Sequence, residues 1–284
     1  MVEIDGQTFA VTDAHCHIFP EAIATRAVAG TDGFYAGHIL FADKGKSQYD
    51  GTVSSLLSRG GAVGIDSFVV QSVATKPHQV KGINEFIAAA ATESGGRIAG
   101  LGTLHPDSDD LAGEVRHIKE LGLHGVKLHP DIQQFKIDDF RALKIYEICE
   151  KEGLPILMHT GDSRFDYSNP NRLKPVMKIF TGLVVVGAHF GGWSVWDEAA
   201  QELAELPNLY VDTSSTFPFV SAEEAKRLVA SFGVDKILFG TDYPMWNMEE
   251  ELAGVAALSL PADQLRKVLH DNAAKVFSLE KLRV

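Results

Sequence analysis

Leu183-Val184-Val185-Val186-Gly187-Ala188-His189 is a continuous apolar run closed by a histidine. A strand with one face in water alternates apolar and polar residues, whereas an unbroken run suits a parallel strand buried on both faces. Seven further candidate strands lie at Thr8–His15, Ser67–Val73, Ile98–Leu104, Gly125–His129, Pro155–His159, Leu209–Asp212 and Lys236–Thr241. Amphipathic segments fill the gaps. Apolar residues recur at helical spacing across Leu111–Leu121, and more loosely at Phe140, Leu143, Tyr146 and Ile148. Ser194 with Asp197, and Ser221 with Glu224, have the capping-box spacing of helix starts. Eight such strands alternating with helices predict the α/β class and a (β/α)8 TIM barrel, a fold that often runs to about 250 residues as one domain. Residues 1–284 are therefore read as a single barrel domain. Regularity breaks between Ile18 and Asp50, a Gly-rich stretch containing Phe34, Tyr35 and His38. So long a break after the first strand predicts a lid-like loop over the site and a barrel that could be distorted there.

Bulk properties narrow the function. The chain is 45% hydrophobic and 23% charged, an ordinary globular composition. A formal charge of −12 argues against nucleic acid and anionic membranes, both of which need clustered Lys and Arg. The two cysteines, Cys16 and Cys149, are too few for a disulfide scaffold and fit a reducing compartment. No basic segment followed by an apolar run marks a secretory signal, and no stretch approaches the roughly 20 apolar residues of a membrane span. The expectation is a cytoplasmic protein.

Five metal-capable side chains stand where apolar runs end: His15 and His17 in Asp13-Ala14-His15-Cys16-His17, then His159, His189 and Asp242. A parallel barrel gathers the C-terminal ends of its strands on one face, so these residues can meet there. Side chains alternate along a strand, so His15 and His17 can both point inward while Cys16 packs outward. Imidazoles and a carboxylate are the ligands a zinc-like divalent ion accepts. Such an ion with an open position lowers the pKa of bound water from about 15.7 towards 7 and polarises a carbonyl. Asp242 could bind the ion, take up a proton, or both. His189, ahead of Phe190-Gly191-Gly192, is the natural acid/base.

At these residues the chain resembles the amidohydrolase superfamily, in the branch related to aminocarboxymuconate semialdehyde decarboxylase. The resemblance rests on Asp13-x-His15-x-His17, on His159 and His189 after the fifth and sixth strands, and on Gly240-Thr241-Asp242-Tyr243-Pro244 after the eighth. The closing Asn272-Ala273-Ala274-Lys275-Val276-Phe277 is similar to the helix that ends these chains. The resemblance implies one ion, zinc first and manganese as an alternative, on His15, His17, His159 and Asp242, with His189 and Asp242 catalytic. Two-metal relatives carry a carboxylated lysine where Lys127 stands, so a binuclear site sharing Lys127 stays open. Lys127 could otherwise face a substrate carboxylate.

The leading expectation is a metal-dependent hydrolase of a small, carboxylate-bearing amide, ester or lactone. The alternative is a non-oxidative decarboxylase of a small unsaturated acid. Arg164, Arg59 or a residue of a second subunit could supply the cation this alternative favours, and a homodimer is compatible with either. Lys76, His78, Arg164, Trp193, Ser214, Ser215 and Trp246 follow strand ends and could touch substrate. His105 and His129 could line the pocket.

Overall fold

The computed structural model describes residues 1–41 and 44–279. Among them, β1 (Val2–Ile4) and β2 (Gln7–Phe9) form an antiparallel hairpin ahead of the barrel. The barrel strands are β3 (Thr12–His17), β4 (Ser67–Gln71), β5 (Ile98–Gly100), β6 (Gly102–Thr103), β7 (Val126–Leu128), β8 (Ile156–Met158), β9 (Val185–Gly187), β10 (Leu209–Asp212) and β11 (Ile237–Leu238), all paired in parallel. Thr8–His15 was expected to be one strand. It divides into the end of the hairpin and the start of β3. Ile98–Leu104 breaks at Leu101, so β5 pairs with β4 while β6 pairs with β7, and together they fill one barrel position. The ring closes where the Ala14 amide donates to the Phe239 carbonyl (2.8 Å) and the His17 amide to the Tyr243 carbonyl (2.6 Å). This is the predicted TIM barrel.

Two apolar layers follow from the pleat. Ala14, Val69, Leu101, Leu157, Val186 and Leu238 fill the barrel interior, and Ala273 and Phe277 of the closing helix Asn272–Phe277 join them. Cys16, Val70, Leu128, Met158, Val185 and Val211 pack outward against the helices. Ser221 and Glu224 form the expected capping box. Ser194 does not cap: Val195 precedes helix Trp196–Leu203, and Ser194 has left-handed backbone (φ 64°) with its hydroxyl accepting from the Ser163 amide.

The stretch after the first strand is more ordered than a loop. Residues Glu21–Tyr35 form α1, and a 3-10 turn follows at Ile39–Phe41. Tyr35 and Phe41 pack with Trp193, Met245 and Trp246 in a small cluster separate from the main core. Helix α1 is thereby seated over the C-terminal ends of the strands. Among the described residues, no helix is long and apolar enough to cross a membrane.

Candidate metal centre and catalytic cleft

Pairing between β3 and β4 slips by one residue between Asp13 and Cys16. This bulge lets Ala14 fill the interior while His15 and His17 both reach the strand ends. Their Nε2 atoms lie 3.2 Å apart, and Asp242 Oδ1 is 3.4 Å from the first and 3.5 Å from the second. Ligand atoms about 2.0–2.1 Å from a tetrahedral ion stand about 3.3–3.4 Å from one another, so this spacing fits one divalent ion.

Two of the three donors, His15 and Asp242, are aimed by a buried partner. His15 Nδ1 donates to Asp212 Oδ2 (3.0 Å), which leaves its Nε2 lone pair for the ion. Ser215 Oγ donates to Asp242 Oδ2 (2.6 Å) and accepts from Trp246 Nε1 (2.7 Å), so Asp242 Oδ1 is free to face the histidines. Asp13 clamps the first strand to the eighth: Oδ1 accepts from the His15 and Thr241 amides, and Oδ2 from Thr241 Oγ1. A Cβ at Gly240 would lie 2.9 Å from His15 Cβ, so the last strand approaches the first only because that residue is glycine. His189 (φ 60°) and Asp242 (φ 56°) hold left-handed backbone, a costly conformation that clusters at functional sites.

His159 and His189 meet beside the trio. His189 Nδ1 donates to the Ser214 carbonyl (3.0 Å), and His159 Nε2 donates to the Gly161 carbonyl (3.1 Å). Both tautomers are thus assigned by backbone acceptors, and the remaining lone pairs, His189 Nε2 and His159 Nδ1, face each other at 3.1 Å. Two lone pairs at that distance repel unless a cation or proton lies between or beside them. The donor chemistry fits a metal at this end of the barrel. His159 reaches the His15–His17–Asp242 trio through His189, and its other face stacks on His129 (3.9 Å, 7°).

Burial and neighbouring charges set the protonation states of these groups. Burial, then the Lys127 charge, holds His17 well below the usual imidazole range. Burial also pushes His159 down, and takes His189 to about 4 against the pull of Asp242 and Asp212. Burial alone would raise Asp212 and Asp242. The charges of His15 and His189 outweigh it, His15 and Ser214 also bonding to Asp212 and Ser215 to Asp242, and both stay below the ordinary carboxylate range. Lys127 is fully buried, its Nζ 3.0 Å from His15 Nε2, and burial lowers it to about 8.

The other expected contacts divide. Arg164 does not line the cavity: its guanidinium pairs with buried Asp162 (2.7 and 3.0 Å), donates to the Phe34 carbonyl (2.7 Å) and stacks on Phe34 and Phe165. It fastens α1 to the fifth strand's loop. Trp193 and Trp246 pack the cap, Ser214 lies beneath His15 and His189, Lys76 is exposed, and His78 reaches the rim. His129 lines the cavity and meets Tyr35 Oη at 3.1 Å. Asp212, Ser214, Ser215 and Tyr35 therefore complete the site. Asp212 ends an apolar strand just as Asp242 does, and that was the available signal.

Above this floor a cavity of about 770 Å³ opens between α1 and helix Val80–Glu93. Its wall carries Phe19, Phe34, Tyr35, Ile83 and Phe86, its floor His17, His159, His189 and Asp242, and among the described residues no lysine or arginine lines it.

A family model described as amidohydrolase matches residues 12–279. The chain belongs to the amidohydrolase family. It is 26% identical to a 2-amino-3-carboxymuconate-6-semialdehyde decarboxylase of Dictyostelium discoideum, in a match covering 57% of this chain and 55% of the relative. It is 24% identical to an allantoinase of Desulfitobacterium hafniense, in a match covering 80% of this chain and 54% of the relative. The chain spans about half the length of the curated relatives it matches. A TIM-barrel protein of Bordetella bronchiseptica superposes with a TM-score of 0.79 at 22% identity, covering 95% of this chain and 99% of that one, which shows the shared fold.

Proposed function

We propose that this amidohydrolase-family chain is a divalent-metal-dependent carboxy-lyase, removing carbon dioxide without oxidation from a small unsaturated acid. The observation that carries this reading is the largely apolar, aromatic cavity wall, without lysine or arginine among the described residues, directly above the histidine–aspartate floor. A carboxylate entering it loses water and gains no cationic partner from the wall. Decarboxylation disperses that charge into a π system, so poor solvation disfavours the starting carboxylate more than the transition state. A divalent ion on His15, His17 and Asp242, with His159 as fourth donor, would supply a Lewis acid that anchors the substrate's oxygens. The donor set accepts zinc or manganese. The bond to the carboxylate breaks, its electron pair stays on the carbon, and a proton delivered through His189 or Asp242 replaces the carbon dioxide. Asp212 and Ser214 hold His15 and His189 in the tautomers this requires. The decarboxylase relative agrees with this direction.

The second reading, hydrolysis of a small amide, ester or lactone, is favoured by the allantoinase similarity across 80% of the chain. His189 and Asp242 would then move protons between water and the leaving group. Metal-loaded protein incubated with a panel of unsaturated acids in D2O should release carbon dioxide and leave one deuterium on the vacated carbon. Incorporation of labelled oxygen from water, with no carbon dioxide, would overturn the carboxy-lyase reading in favour of hydrolysis.

A further inference from the structure

We propose that the substrate continues beyond its reacting head as an extended apolar arm, held in the cleft between α1 and helix Val80–Glu93. This rests on the reading that the head group reacts at the histidine–aspartate floor. Ile23, Ala27, Gly30, Thr31 and Phe34 fall at helical spacing on one side of α1, and all line the cavity. Gly82, Ile83 and Phe86 face them from the second helix. These are core-type stripes, yet Ile23 stays 39% exposed, and a Cβ built at Gly30 or Gly82 meets nothing within 4 Å. The cleft is continuous with the floor, since His17, His159, His189 and Asp242 belong to the same cavity. Its roughly 770 Å³ lies in the range of about 300–1,000 Å³ that encloses a drug-sized ligand, more than a single ring with one carboxylate needs. Because among the described residues no lysine or arginine lines the wall, the arm is aryl or alkyl and carries no second carboxylate. Gly30 and Gly82 leave room for it that a larger side chain at either position would take up.

The test is binding of 2-hydroxybenzoates bearing 4-alkyl arms of increasing length to the metal-loaded protein, by calorimetry, with carbon dioxide release followed in parallel. Affinity should rise about three- to fourfold per methylene until the arm fills the cleft. Gly30→Leu and Gly82→Leu should cut the long-arm to short-arm affinity ratio at least tenfold. Leucine is a better helix former than glycine, so their melting temperatures should hold or rise, and a melt identifies any variant that misfolds. A flat series in the native protein overturns the proposal. So does a series that rises equally in both leucine variants, or sedimentation showing that a second copy covers the cleft. Arm-dependent binding without carbon dioxide release supports the arm site while overturning the carboxy-lyase reading. Release from short-arm acids alone, with no gain from the arm, does the reverse.

Discussion

At the floor of the cleft and just beneath it, His189, Asp242 and His15 each have one polar atom tied by a buried partner, Ser214, Ser215 and Asp212 respectively. At the roof, α1 turns Ile23, Ala27, Gly30 and Phe34 toward open space and is fastened by Arg164 and a few aromatic contacts. The floor is built from strand ends that the barrel holds rigidly. The roof is one helix on a small satellite cluster. Geometry fixed to tenths of an ångström is needed where an ion and protons are handled, whereas an apolar arm needs only volume and dryness. Reaction type therefore belongs to the floor and substrate range to the roof.

The sharpest test of that division removes a donor. Asp242→Ala should strip the metal and lower activity by well over about 100-fold, beyond the loss typical of outer partners, and metal analysis of the purified protein reads it directly. Full metal content with intact turnover would mean that the trio is not the centre. Next comes Asp212→Asn, which keeps the size but offers His15 an amide in place of an acceptor-only carboxylate. Metal affinity or activity should fall about 10–100-fold with little change in melting temperature. An unchanged metal titration would reduce Asp212 to a core residue.

How much of this division the sequence discloses depends on the type of signal. The floor is legible because His15, His17, His159, His189 and Asp242 are unusual residues at the ends of apolar runs, and the barrel rule converts those positions into one face. Asp212 has the same signal in weaker form. No histidine neighbours it in sequence, and its partner His15 lies 197 residues away. The ring orientations of His159 and His189 depend on the Gly161 and Ser214 carbonyls respectively, which no residue pattern encodes. The roof is poorly legible for another reason. Gly30 and Gly33 each cost a helix roughly 1 kcal/mol relative to alanine, so the stretch reads as a loop although Glu21–Tyr35 is helical. Arg164 looks like a substrate cation until Asp162, two residues earlier, is seen to occupy it.

A roof-directed change should act differently from a floor-directed one. Arg164→Met keeps apolar contact with Phe34 but removes the bond to its carbonyl and leaves the buried Asp162 carboxylate without its cation. We expect a stability loss of about 1–3 kcal/mol and a several-fold rise in KM with kcat less affected. Amide exchange in α1 should accelerate while that in β9 and β10 does not. Equal acceleration in both regions would show that floor and roof open together.

The smallest expected effect on activity comes from Glu251, on helix Met248–Ala257 behind the last strand, buried and with Oε2 lacking a partner. Burial first, then the charges of Asp242 and Asp13, hold its carboxyl well above the usual range. The unfolded chain gives up this proton near pH 4.3 while the folded chain keeps it. Above that pH the native state binds more protons than the unfolded one, so stability drains away as pH rises towards the folded pKa. Below it both states are protonated and the group contributes no slope. Glu251→Gln removes the titration, so the difference in melting temperature, variant minus native, should grow more positive from pH 4 to pH 8 while turnover at neutral pH stays the same. A difference that stays flat would mean that Glu251 ionises in place, with the floor's charge balanced differently from the arrangement of Asp13, Asp212 and Asp242 described above.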